Sequence, residues 1–221
     1  MISGLFAIYF FFRFSRKHAS VFLTIVILCA MPWTIRNYYA YDAFIPVTTN
    51  SWLNFWRGNN PTSNGGSWYP NGEANYYDDD MLQRVRAVPQ TTHMEIDISH
   101  VYRDAALVYW KNQPLDALQL LVKKYIMFWT YDFGDPRARH PLYIVSYGML
   151  LLTFIAGFLS LWKQKQLPIL FLICIGTYSI TVSLLHVETR YQTYVSILYI
   201  PFAAVALRKA VHRMTQRTQE S

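Results

Sequence analysis

The chain has 221 residues, with 20 Lys+Arg against 13 Asp+Glu for a net charge of +7; 53% are apolar and 15% charged. Average soluble chains carry about 25% charged residues, and this balance excludes disorder, a collagen-like fibre and a disulfide scaffold. Eleven of the thirteen acids lie between Asp42 and Asp135, so the mean hydropathy of +0.12 averages a polar middle with apolar flanks.

The first apolar run, 2–12 (ISGLFAIYFFF), is too short to span. Eleven residues at about 1.5 Å each reach roughly 17 Å, against a hydrocarbon core of about 30 Å. Its basic flank of Arg13, Arg16 and Lys17 has the character of a cytoplasmic helix end, and no small-residue cleavage site follows. The expectation is a partial spanning helix at the start of the chain. Segment 19–35 (ASVFLTIVILCAMPWTI) is uncharged and forms the first full span, with Pro32 tolerable where neighbouring groups re-satisfy the backbone.

Segment 37–72 is rich in Asn, Gly, Pro and aromatics, and its turn signals (Asn60-Pro61, Asn64-Gly65-Gly66) fit short strands or irregular structure. Asp78-Asp79-Asp80 fits the acidic first turn of a helix, and no metal site is expected there. Segment 99–112 reads as an amphipathic helix with Ser99 as N-cap. Segment 115–131 is a helix with Pro114 near N1 and Asp116 in its first turn. Lys123-Lys124 at its centre would cost about 2.5–3.5 kcal/mol each at mid-bilayer. An interfacial helix is expected instead, with both lysines toward headgroups and Tyr125, Phe128 and Trp129 buried.

Three further uncharged runs follow: 142–162, 167–185 and 191–207, the last containing Pro201. Segments 13–18, 163–166 and 208–221 together hold nine Lys/Arg and one acid, Glu220. The positive-inside rule assigns them to the cytoplasm. The expected fold is a polytopic α-helical membrane protein. It has about four full transmembrane helices plus a partial N-terminal one, and one large extracytoplasmic loop of mixed structure. The regions are 1–35 (partial helix and first span), 36–140 (the loop, with interfacial helix 115–131) and 141–221 (three spans and a basic tail). Cys29 and Cys174 sit in apolar runs and match no metal-ligand spacing. No cofactor or metal is implied, and the chain lacks the soluble basic face that nucleic-acid binding needs.

Arg36 and Arg190 stand at the extracytoplasmic ends of spans, at the depth of a lipid phosphate. The planar guanidinium matches phosphate geometry, and snorkelling is the alternative role for both. His186 and Glu188 alternate with Arg190, either as a general acid/base set or as supports, with Glu188 orienting the arginine and Tyr191 beside it. Trp52, Trp56, Trp68, Tyr69, Tyr76 and Tyr77 serve either as sugar-stacking platforms or as the loop's core.

An ordered set of segments carries a resemblance. Pro32-Trp33-Thr34-Ile35-Arg36-Asn37 ends a span; Phe44 to Asn50 and Trp56-Arg57-Gly58-Asn59-Asn60-Pro61 follow. Asn112-Gln113-Pro114 and Lys124 to Trp129 precede the next span, and Glu188-Thr189-Arg190-Tyr191 enters the last. In this order they resemble the C-terminal half of bacterial membrane glycosyltransferases of the protein-mannosyltransferase and aminoarabinose-transferase type, the GT-C fold. The resemblance implies sugar transfer from a polyprenyl-phosphate donor outside the cytoplasm, and an inner-membrane location. It also implies a catalytic carboxylate in a preceding loop that this chain lacks, so the catalytic residues are unknown. The chain is then either a portion of such an enzyme, with a partner chain supplying the other half, or a non-catalytic membrane subunit or remnant that binds a partner or lipid. A transporter would show repeated spans with intramembrane polar residues, which are not seen.

Overall fold

The computed structural model describes residues 11, 15–68, 79–164 and 166–220. The partial helix expected at 2–12, Asp78, Tyr69, Tyr76 and Tyr77 lie wholly or almost wholly outside them. Helix α1 (Arg16–Tyr41) contains the first apolar run and runs on past Arg36 and Asn37, which are helical. Of its residues only Ala19 and Asn37 are buried. Its apolar side chains, Ile27 and Trp33 among them, face outward. An apolar helix with so little protein against it is suited to lipid, since its backbone groups are satisfied internally. The next segment folds back on its C-terminal turns. Trp33 Nε1 donates to the Val47 carbonyl at 2.5 Å, Thr34 Oγ1 to that of Pro46 at 2.9 Å, and Asn37 Nδ2 to that of Ile45 at 3.0 Å.

Between α1 and residue 68 the polar middle is irregular apart from one short helix, in line with its turn signals, and from Asp79 on it is mostly helical. Helices α2 (Ser51–Arg57) and α3 (Asp79–Arg86) pack on α4 (Met94–Asn112) around Trp56, Met81 and Ala106. Trp56 meets Tyr102 with ring centroids 5.3 Å apart, so this indole belongs to the core. Asp79 and Asp80 form the exposed first turn of α3. Helix α4 starts five residues earlier than Ser99. Glu95 and Asp97 supply the acidic first turn that favours a helix N-terminus. Ser99, inside the helix, gives its hydroxyl to the Thr49 carbonyl at 2.8 Å, a tertiary use that replaces the expected cap.

Helix α5 (Pro114–Trp129) begins at Pro114 as expected. Its lysines part company. Lys123 is exposed, whereas Lys124 is fully buried and Tyr125 is exposed. Successive helical residues point about 100° apart, so Lys124 falls on the stripe of Ala117, Leu120 and Phe128, which packs inward. The expectation that both lysines reach headgroups is corrected for Lys124.

Helices α6 (Pro141–Leu161), α7 (Gln166–Leu184), α8 (Thr189–Ser196) and α9 (Ile200–Glu220) complete the fold, with a 3₁₀ turn (Ile197–Tyr199) joining the last two. Their core is aromatic. Phe154 stacks on Tyr199 at 4.5 Å, and Phe171 meets Phe202 at 4.9 Å. Gly157 permits α6 and α9 to touch backbone to backbone, because a side chain there would collide with the Phe202 carbonyl. Among the described residues, three helical stretches are long and apolar enough to cross a membrane: Arg16–Tyr41, Pro141–Leu161 and the continuous Thr189–Gln216. The fourth expected span corresponds to a shorter apolar helix, Pro168–Leu184.

Candidate functional site

Two polar clusters gather where the middle of the chain meets the ends of α7 and α8. The first is a helix-end clamp. A helix leaves its last carbonyls without intrahelical donors, and those of α7 are met from distant sequence. Asn59 Nδ2 donates to the Leu184 carbonyl at 2.8 Å, and Lys124 Nζ to that of Leu185 at 3.0 Å. Lys124 also donates to Gly58 O at 2.9 Å and to Asn59 Oδ1 at 3.1 Å, and that same oxygen accepts from Trp110 Nε1. Burial pulls the Lys124 ammonium down to about 7. A cation suits this position because α7 ends in a negative dipole. The C-terminal end of α5 is closed in the same manner. Gln192 Nε2 donates to the carbonyls of Met127 and Phe128, while its Oε1 accepts from the Tyr143 hydroxyl at 3.0 Å.

The second cluster is a ledge of paired charges. Val187 forms a parallel bridge with Gly66, its N–H donating to Gly65 O at 3.0 Å. This brings Ser67 to Glu188. Glu188 Oε1 accepts from Ser67 Oγ at 2.7 Å and meets His186 Nε2 at 3.2 Å; Oε2 pairs with Arg190 Nε. Burial alone would push the Glu188 carboxyl up. The hydrogen bonds from His186 and Ser67 and the charges of His186 and Arg190 outweigh burial and bring it down to about 2. Beside it, Asp135 caps the 3₁₀ turn Pro136–Arg139 by accepting from Arg137 N, and holds Arg137 through Nε and Nη2 at 3.0 Å each. Burial pushes Asp135 up as well, and Arg137 reverses that to a net lowering. Arg137 lies within the electrostatic reach of both Glu188 and Arg190. Both carboxylates are buried, while the Arg137 and Arg190 side chains are 57% and 51% exposed.

Asp132 sits behind this ledge at 1% exposure. Its Oδ1 accepts from Gly134 N, and its Oδ2 is buried without a hydrogen-bond partner; burial raises its proton affinity.

The structure thus brings together His186, Glu188, Arg190 and Tyr191, whose ring lies under the Arg190 guanidinium at 5.4 Å. It leaves Arg36 in a different environment: Asn37 Oδ1 at 3.2 Å and the Trp33 ring at 5.3 Å, neither shared with the ledge. Sequence reading missed Asp135 and Arg137, although an Asp before a Pro at a turn start is an N-cap signature. It also missed Ser67, Asp132, Asn59 and the inward role of Lys124; Ser67 and Lys124 find their partners in segments remote in sequence.

The long apolar helices and the outward exposure of the apolar side chains of α1 are those of an α-helical membrane protein. No protein-family model matches the chain, and no curated protein or solved structure matches it either.

Proposed function

We propose that this chain is a portion of an inner-membrane glycosyltransferase of the GT-C type, in which it holds the phosphate of a polyprenyl-phosphate-linked sugar donor on the extracytoplasmic side. The observation that carries the reading is the pair Arg137 and Arg190, each held from behind by a buried carboxylate and half exposed in front. Ordering a long side chain costs rotamer entropy, and Asp135 and Glu188 have already met that cost before a ligand arrives. Glu188 engages Arg190 at Nε. A guanidinium has further N–H groups, and paired N–H groups match a phosphate. The Thr189–Gln216 stretch begins at the arginine, so an anion there would sit at a membrane boundary while its chain lay in the bilayer.

Phosphate contacts of this kind give ground-state binding, which does not by itself accelerate a chemical step. An acceptor hydroxyl also needs a base, worth about 10²–10⁴-fold. Asp132, the carboxyl with spare proton affinity, is too deeply buried to serve a hydroxyl arriving from solvent. On the GT-C reading, the base is supplied by another part of the enzyme.

The test is a titration of the full chain in nanodiscs with undecaprenyl phosphate, beside a transfer assay with a polyprenyl-phosphate sugar. Binding without transfer is expected. Arg190→Ala and Arg137→Ala should each weaken binding by about 1.5–3 kcal/mol, the scale of a hydrogen bond to a charged group. Unchanged binding in both variants would overturn the reading, and robust turnover by the chain alone would overturn the assignment of the base elsewhere.

A further inference from the structure

Along the α9 helix, two adjoining cavities make up a groove. One is apolar, about 330 Å³, with Leu170, Cys174, Leu198 and Phe202 on its walls. The other, about 860 Å³, is edged by Arg208, Lys209 and His212. Leu161 and Val205 line both, so the two adjoin. Each volume is within the range of about 300–1,000 Å³ typical of small-molecule sites.

The arrangement follows from helical spacing. Val205, Lys209 and His212 recur at four- and three-residue intervals and so share one face of α9, with Arg208 adjoining. Lys209 Nζ reaches the Ser160 carbonyl near the C-terminal end of α6 at 3.3 Å, which holds its ammonium at the mouth of the groove. Among the described residues, no carboxylate lines either part. Arg190 and Lys209 are nineteen residues apart on one nearly continuous helix. At about 1.5 Å per residue that is roughly 28 Å, close to a hydrocarbon thickness. The groove is thus a site separate from the Arg137–Arg190 ledge and at the opposite bilayer boundary.

We propose that this groove binds one anionic glycerophospholipid, its phosphate on Arg208, Lys209 and His212 and an acyl chain in the apolar trough. Charge complementarity selects the headgroup: three basic side chains with no counter-acid among the described residues favour an anion over a zwitterion. The uninterrupted apolar wall selects an acyl chain over a soluble phosphate.

The experiment is lipid retention measured by native mass spectrometry on the full chain, titrated with phosphatidylglycerol and, separately, phosphatidylcholine. The double variant Arg208→Gln/Lys209→Gln should weaken phosphatidylglycerol binding about 10- to 30-fold, the effect of two cations near a lipid phosphate, and leave phosphatidylcholine unchanged. Arg16→Gln/Lys17→Gln, which removes the same charge outside the groove, should change neither. Cys174→Trp, which fills the trough, should abolish selective retention. The proposal is overturned if the groove and control variants act equally, if both lipids weaken together in the charge variant, or if phosphatidylglycerol binding survives both groove variants. Inorganic phosphate competing at concentrations comparable to the lipid would likewise overturn it in favour of a soluble anion.

Discussion

Lys124 of α5 donates its ammonium to the carbonyl of Leu185, 61 residues away at the end of α7, and thereby caps a helix to which it does not belong. Gly58, Asn59 and Lys124 meet at this one point, so the polar middle and the membrane helices share a buried polar joint there.

Lys124→Met should loosen that joint. The carbonyls of Gly58 and Leu185 lose a donor, and each buried group left unsatisfied costs about 1–3 kcal/mol. The pH dependence has a definite sign. The folded value of about 7 lies below the ordinary 10.5. Between them the unfolded chain holds a proton that the folded chain has released, so this residue makes stability rise with pH across that window. Thermal unfolding in detergent at a series of pH values should show the rise in wild type and lose it in Lys124→Met.

Gly58 should tolerate no side chain. A Cβ there would run into the backbone carbonyl of Leu185, and the backbone of a helix end cannot swing aside as a flexible side chain can. Gly58→Ala should destabilise by about 1–3 kcal/mol or more, the cost of overpacking a tight contact. A Tm equal to wild type would mean that the middle segment and α7 do not approach as described.

Glu188 predicts an acid limit. Its carboxyl is held at about 2, against an ordinary 4.5. Its contribution to stability is fully present above 4.5 and is lost as pH falls toward 2. Glu188→Gln should flatten the unfolding profile within that window. It should also weaken undecaprenyl-phosphate binding at neutral pH, because Arg190 loses the partner that holds it. An acid profile that Glu188→Gln leaves unaltered would place the acid sensitivity elsewhere.

Topology can be read by thiol labelling in a Cys29→Ser/Cys174→Ser background. Lys123→Cys on the exposed face of α5 and Arg213→Cys on α9 should react with impermeant reagents from opposite sides of the membrane. Reaction from one side only would contradict the alternation of spans inferred from the charge bias.

Much of the architecture was legible because it depends on local pattern. Long uncharged runs have one stable outcome in lipid, so the apolar segments around Val26, Leu151 and Ala204 could be recognised as helices from composition alone. Pro114 and Asp116 marked the start of α5 because a helix N-terminus has local chemical requirements that those residues meet. The Glu188–Arg190 pair was foreseeable for the same reason, its members being two residues apart.

What only the tertiary structure decided is where remote polar groups go. Ser99 could equally have capped a helix or reached Thr49, and a fold-back some fifty residues earlier chose the second. Lys124 could have met water or a helix end. Periodicity put it on a face, but only the approach of Gly58 and Leu185 made that face a buried set of carbonyls. Arg137 joined Arg190 because the Gly66–Val187 bridge and the Asp135 turn bring three separate segments to one ledge. A hydrogen-bonding group has many satisfactory partners and an apolar run few, so the chain's pattern settles the helices while long-range packing selects the partners.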